Sequence, residues 1–279
     1  MSSRSGEFAA YVPGTVLRRL QRNPVCAASG EGWRGLAVAL FADVAGSTKM
    51  ANRLAKLGRL VGPEEMCRIL NAYYSPLISK LHDRGGDVVG FAGDAVMAVW
   101  HAEDESAIKA AVRQAAQAAI EIQRDLNNME LAAGVRLSLR ICLGAGELSM
   151  ALVGGRQGFH QLIAYGPPLD QIRAAGDALR IGEVYLSREA KNYLGGGAAL
   201  DAQPDGSAFV RRLTSPPSPE RAAPLDAASL PEESLRLFVP RAVQESVDAG
   251  VSEFLDQART VSTLFVRIAR PTGMLPQWE

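Results

Sequence analysis

Leu36-Ala37-Val38-Ala39-Leu40-Phe41-Ala42-Asp43-Val44-Ala45-Gly46-Ser47-Thr48 decides the fold. Residues 36–41 form a continuous apolar run, as expected of a strand buried on both faces of a sheet. It ends on an acid, Asp43, and Gly46-Ser47-Thr48 then suits a tight turn into a helix N-terminus. A second stretch answers it: 87–92 and 95–100 are short apolar runs joined at Gly93-Asp94, the pattern of a β-hairpin with Asp94 at its tip. If strand and hairpin pair as neighbours, both carboxylates arrive at one edge of the sheet.

Working outward, Pro63-Glu64-Glu65 announces a helix, with proline in its first turn and acids where the helix dipole favours them. It runs to about Arg84, bent or restarted at Pro76, and Gly85-Gly86 ends it. Ile108, Val112, Ala115, Ala119, Ile122 and Leu126 recur at helical spacing over 106–126. Residues 135–143 alternate, with Val135, Leu137, Leu139, Ile141 and Leu143 on one side and Arg136, Ser138, Arg140 and Cys142 on the other. Strands over 147–153, 159–165 and 183–186 and helices over 168–178 and 187–194 follow. This interleaving predicts an α/β (α+β sandwich) domain, a mixed sheet with helices packed on it, over residues 35–212. Residues 1–34 read as an N-terminal arm. Gly195–Gly197 and the three prolines of 215–219 mark loop-rich chain, and 213–259 reads as a linker, partly helical from Leu235.

The composition excludes several classes. Apolar residues are 47% of the 279, and 30 basic residues balance 30 acidic ones. No global field therefore draws in nucleic acid or an anionic membrane, and an anion must be caught by a local site. Cys26, Cys67 and Cys142 lack metal-ligand spacing and are odd in number, which argues against a disulfide framework or a zinc site. No run approaches the length of a membrane span, and residues 1–14 lack the apolar core of a signal peptide. The expectation is a cytoplasmic protein.

Two carboxylates at one sheet edge repel unless a cation or proton lies between them. Magnesium prefers oxygen ligands, typically one or two carboxylates plus substrate phosphates. The amides of Gly46, Ser47 and Thr48 stand where a helix start can hold a phosphate. Taken singly, Asp43 is equally a helix cap and Asp94 equally a turn residue. Together, beside the Gly-Ser-Thr turn, they point to a metal–triphosphate site.

Phe41-Ala42-Asp43-Val44-Ala45-Gly46-Ser47-Thr48, Gly85-Gly86-Asp87 and Phe91-Ala92-Gly93-Asp94-Ala95 resemble the class III nucleotidyl cyclase catalytic domain, a ferredoxin-like, palm-type fold. The closer likeness is to the first catalytic half of bicarbonate-responsive soluble adenylyl cyclases and their bacterial relatives. Tyr11-Val12-Pro13-Gly14 and Leu237-Phe238-Val239-Pro240 resemble segments flanking that half, so the resemblance extends over roughly residues 11–269.

The resemblance implies conversion of ATP to 3′,5′-cyclic AMP and pyrophosphate with two Mg²⁺ (or Mn²⁺) ions. Asp43 and Asp94 would bridge both ions, and the Val44 carbonyl would ligate one. Gly46, Ser47 and Thr48 would hold β- and γ-oxygens. Arg140 would face the terminal phosphate, although a solvated arginine on a sheet face reads the same way in sequence.

The family site lies between two halves, and the second half supplies an adenine-selecting lysine, an asparagine and a transition-state arginine. Pro167-Pro168-Leu169-Asp170-Gln171-Ile172-Arg173 matches the first-half version, with Asp170 where second halves have asparagine. The chain thus reads as the metal-bearing half, in need of a complementary half. Arg173 follows Asp170 by three residues rather than the family's four, which on a helix turns the side chain by about 100°. Leu264-Phe265-Val266-Arg267-Ile268 lines up with Leu40-Phe41-Ala42-Asp43-Val44, so 260–279 reads as the truncated start of a second cyclase-like domain. Of the two cations in the relatives' bicarbonate pocket, Arg173 stands at one position and Gly90 replaces the lysine. Arg173 is therefore either a regulatory anion ligand or a helix-surface residue. The rival to a catalytic half is a non-catalytic cyclase-homology module that regulates by dimerising. A diguanylate-cyclase or polymerase palm is disfavoured, because Gly85-Gly86-Asp87 continues into Val88-Val89.

Overall fold

A computed structural model describes residues 4–23, 32–57, 61–154, 158–223 and 225–250. Among them, nine strands form one mixed sheet whose path runs β2-β3-β1-β5-β7-β9-β8, with β4 and β6 also pairing with β5. Its centre is β1 (Gly32–Ala45) against β5 (Val135–Gly154), antiparallel from Gly32 opposite Ala151 to Ala45 opposite Ser138. The alternating stretch at 135–143 and the apolar one at 147–153 are thus a single strand. On the other side of β1 lies β3 (Ala95–Ala102), the return arm of the hairpin begun by β2 (Asp87–Ala92). Beyond β5, β7 (Val184–Leu186) pairs in parallel, which makes the sheet mixed. The remaining strands are β4 (Met129–Leu131), β6 (His160–Tyr165), β8 (Ala198–Ala202) and β9 (Ala208–Leu213). The β8–β9 hairpin continues the sheet beyond the glycines at 195–197, where composition alone indicates loop.

One face is covered by α3 (Ser47–Leu54), α4 (Val61–Asp83), α5 (Glu105–Leu126) and α7 (Arg188–Leu194). Helix α5 starts where the Asp104 carboxylate accepts the Ala107 amide at 2.8 Å, and all six periodic positions from Ile108 to Leu126 are buried. Helix α4 continues through Pro76. The missing amide costs a hydrogen bond, but Ile69, Tyr73, Leu77 and Leu81 form a buried stripe that holds both halves on the sheet. On the opposite face, α6 (Pro167–Ala175) crosses β5 so closely that a Cβ at Gly144 would lie 2.2 Å from the Pro168 carbonyl oxygen.

The segments read as arm and linker come together. Helices α1 (Arg4–Ala9) and α2 (Gly14–Arg22) pack with α8 (Glu232–Arg236) and α9 (Arg241–Asp248) in a second apolar cluster built on Phe8, Val16, Leu20, Leu235 and Val239. Leu152 of β5 joins it to the sheet. The residues read as an arm thus carry buried apolar side chains, Phe8 of α1 and Val16, Leu17 and Leu20 of α2, whose partners on α8 and α9 lie more than 200 residues further along the chain. Nor is the proline-rich stretch a loose tether. Arg84, Arg113 and Gln114 donate to the carbonyls of Pro217, Ser215 and Ser218 at 2.5, 2.7 and 2.8 Å. The expected second-domain strand at 260–268 lies outside the described residues.

Candidate active site

Asp43 lies two residues before the end of β1, on the face away from the helix-covered core and directly across from Arg140 of β5. The two side chains form a loose pair: Arg140 Nε lies 3.7 Å from Asp43 Oδ2, too long for a hydrogen bond. That nitrogen is buried and has no hydrogen-bond partner. The Arg140 side chain is 41% exposed and that of Asp43 31%, so the edge is open to a ligand.

Asp94 reaches the same edge from the other side of β1. Val96 pairs with Ala42, and Asp94 sits two residues earlier, in the turn between β2 and β3. Gly93 takes the left-handed backbone conformation of that turn, φ +65°. The Asp94 carboxylate accepts a short hydrogen bond from the Ser47 hydroxyl, and its carbonyl accepts one from the Tyr74 hydroxyl at 2.9 Å. Burial, then the charges of Asp94 and Asp43, push the Tyr74 phenol above its usual range, so it remains a neutral donor. Tyr74 is a site residue that sequence reasoning passes over, because it looks like one more apolar position of α4.

Gly46 makes the turn into α3 possible. Its φ of +104° belongs to glycine, and a Cβ there would press on the Arg136 carbonyl oxygen at 3.1 Å. Gly46 and Thr48 are exposed and Ser47 half-buried, while Val44 packs its side chain into the core. Asp43, Val44, Gly46, Ser47, Thr48, Asp94 and Arg140 are therefore brought together at one end of the sheet.

Arg173 is not part of that grouping. It lies on α6, largely exposed, in a 2.9 Å pair with Asp170. Helix α6 meets β5 at Gly144, four residues beyond Arg140, or roughly 13 Å along the strand. The next residue, Gln171, ties α6 down through both backbone groups of Ala145, at 2.9 and 3.0 Å, and accepts the Ser187 hydroxyl at 2.8 Å. At Gly90 a Cβ would meet nothing within 4 Å, so space for a larger residue exists and is unfilled.

Among the described residues, no group of three or more His, Cys, Asp or Glu could hold a metal alone. Two carboxylates at an open edge would leave further positions to phosphate and water. That donor set suits magnesium, which keeps part of its water shell, and does not suit zinc.

Comparison with known proteins shows the family and the fold. Residues 36–194 match the family model for the adenylate and guanylate cyclase catalytic domain. As that match covers more than half of the chain, the protein belongs to this family. Adenylate cyclase type 10 of Oryctolagus cuniculus is 31% identical over 151 residues, and the Homo sapiens protein 30% over 151. The match covers 54% of this chain but only 9% of each of those proteins. Among solved structures, the guanylate cyclase domain of RhGC from Catenaria anguillulae, in complex with GTP, superposes with a TM-score of 0.54 at 16% identity, over 64% of this chain and 97% of that one. The adenylyl cyclase CyaB from P. aeruginosa gives 0.52 at 16% identity, over 64% and 94%. These structural likenesses establish the class III cyclase fold. Among the described residues, no helix is long and apolar enough to cross a membrane.

Proposed function

We propose that this chain is the metal-bearing half of a cytoplasmic class III cyclase that converts ATP to 3′,5′-cyclic AMP and pyrophosphate together with a complementary half. The observation that carries the reading is the meeting of Asp43 and Asp94 at one sheet edge, closed by Ser47 of the Gly-Ser-Thr turn. Asp43, Asp94 and the Val44 carbonyl would hold two Mg²⁺ or Mn²⁺ ions. Bound there, such ions lower the pKa of the ribose 3′-hydroxyl and neutralise the triphosphate. The amides of Gly46, Ser47 and Thr48 face the β- and γ-phosphates. Arg140, whose Nε has no partner, supplies a positive charge for the terminal phosphate and releases Asp43 to the metal side. The 3′-oxygen forms its bond to the α-phosphorus as the bond to the pyrophosphate oxygen breaks, and the hydroxyl proton passes to solvent.

A second reading, a regulatory dimerisation module without catalysis, is favoured by one feature. Asp170 stands where second halves carry asparagine, and its partner Arg173 is already paired and points to solvent. In phosphoryl transfer an arginine supplied by a partner is worth roughly 10³–10⁵ in rate. The isolated chain is therefore expected to bind metal–nucleotide yet make little cyclic AMP, and a complementary half added in trans to restore synthesis. Titrating ATP, and GTP beside it, with and without Mn²⁺ tests the reading. Metal-dependent binding lost in Asp43→Ala and Asp94→Ala supports it; variants that bind as the unmodified chain does would overturn it. Robust synthesis by the chain alone would refute the need for a second half, and nucleotide binding without synthesis even after complementation would favour the regulatory module.

A further inference from the structure

We infer that Tyr74 is the positioning residue that fixes the height of the hairpin tip, and with it Asp94, whatever the Asp94 carboxylate is bound to. The tip has little packing of its own: Phe91 is 57% exposed, and nothing lies within 4 Å of a Cβ placed at Gly90 or Gly93. Two side chains from outside the hairpin hold it. Ser47 grips the Asp94 carboxylate, but a cation on that carboxylate competes directly for the same oxygens. Tyr74 grips the backbone carbonyl instead, at 2.9 Å, and that bond is indifferent to what the carboxylate is doing. The phenol ring also meets Phe91 edge-on, with centroids 5.8 Å apart and planes at 85°.

Its base is rigid. Tyr74 projects from α4 beside Tyr73, which is wholly buried and donates its hydroxyl to the Leu126 carbonyl at 3.1 Å. Ile69, Leu77 and Leu81 seat the same helix in the core. The hydroxyl therefore transmits the position of a core helix to a loosely packed tip. A metal site needs its ligands held closely in place, so the loss of such a brace is felt as lost affinity rather than lost folding.

This inference rests on the reading that Asp94 is a metal ligand, and the experiment separates the two. In Tyr74→Phe the ring stays against Phe91 and only the donor is removed; water can satisfy the freed carbonyl. The Mn²⁺ concentration that half-saturates ATP binding to the full chain is expected to rise about three- to tenfold, the equivalent of one ordinary hydrogen bond. The melting temperature should stay where it is, and Tyr74→Leu, which loses the ring contact as well, should fall further in metal affinity. A Tyr74→Phe chain with unchanged half-saturation, alongside an Asp94→Ala chain that no longer binds, overturns the role given to Tyr74 and leaves the metal site standing. A lowered melting temperature with unchanged half-saturation likewise overturns it, by showing a packing role only. If Asp94→Ala binds metal–nucleotide normally, the metal reading itself falls and the inference falls with it.

Discussion

On one face of the sheet, Val38, Leu40, Ala42 and Val44 of β1 and Leu137, Leu139, Ile141 and Leu143 of β5 lie buried under α3, α4, α5 and α7 in a continuous apolar core. On the other, the same two strands carry Ala37, Asp43, Arg140 and Cys142, and the buried apolar residues fall into smaller separate clusters around Met150 and around Cys142. Strand residues alternate between faces, so each residue of β1 is committed either to the core or to the site side. The difference teaches where each property resides. Cohesion belongs to the helix-covered face, where every side chain has neighbours. Chemistry belongs to the face that ends in half-exposed charge held by a few hydrogen bonds.

If that division holds, the two faces can be broken separately. The largest effect is expected from Asp94→Ala or Asp43→Ala, which should abolish metal-dependent nucleotide binding in a titration while leaving the unfolding midpoint nearly unchanged, as half-exposed substitutions generally do. The converse is Leu137→Ala. Leu137 is wholly buried, so the cavity should cost about 2–5 kcal/mol in denaturant unfolding, with metal-dependent binding per folded molecule retained. A Leu137→Ala chain that stays folded but cannot bind metal–nucleotide would show that the faces are not independent.

A smaller effect sharpens the boundary between sheet and end cluster. Asp87, at the first residue of β2, accepts the Gly14 amide at 2.9 Å, the Thr15 amide and hydroxyl, and Arg18 Nη2 at 3.1 Å. One carboxylate thus caps α2 and ties the N-terminal helices to the arm of the hairpin that leads to Asp94. Asp87→Ala leaves two amides at a helix start without partners and is expected to cost about 1–2 kcal/mol. Hydrogen exchange should locate the loss at residues 14–18, with the midpoint of the main transition shifted far less. Uniform loosening of the whole chain would mean that the end cluster is not a separable layer.

The features legible in sequence are those in which one residue type has one physical use. Apolar runs at strand period, the six-residue stripe of α5 and the Gly-Ser-Thr turn after Asp43 all predict what is observed, because each pattern is local. The strand and the hairpin already suggested that two distant aspartates meet at one end of the sheet, and the resemblance added the roles it implies for them. Three things were not legible. One is the packing of α1 and α2 against α8 and α9: the chain reads as partly helical from Leu235, but the burial of these helices depends on one another across most of the chain. The β8–β9 hairpin follows three glycines that read as loop, and its strands owe their order to β7. Tyr74 matters through its hydroxyl, whose partner is a backbone carbonyl, and no sequence pattern encodes that contact.

The smallest expected effect is a dependence on pH, and it lies on the cohesive face. Arg84 is nearly buried and bonds Glu121 at 2.6 Å, while Gln117 donates to the same carboxylate at 2.9 Å. Burial alone would raise the Glu121 pKa, but the hydrogen bonds from Arg84 and Gln117 and the charges of Arg84 and Lys80 outweigh it. The folded protein thus holds this carboxyl below its ordinary value of 4.5. A carboxyl more acidic in the fold than in the unfolded chain binds fewer protons when folded. Its stabilisation is therefore complete above the unfolded value and is lost as pH falls through the folded one. Glu121→Gln keeps the shape and removes the charge. The stability gap between the two proteins should be fully present at pH 7 and close progressively as the pH falls below the ordinary value of about 4.5. Denaturant midpoints at pH 7, 5, 4 and 3 measure it, and the other carboxylates titrate in both proteins and drop out of the difference. A gap that stays constant with pH would mean that Glu121 contributes its shape and its hydrogen bonds but not its charge.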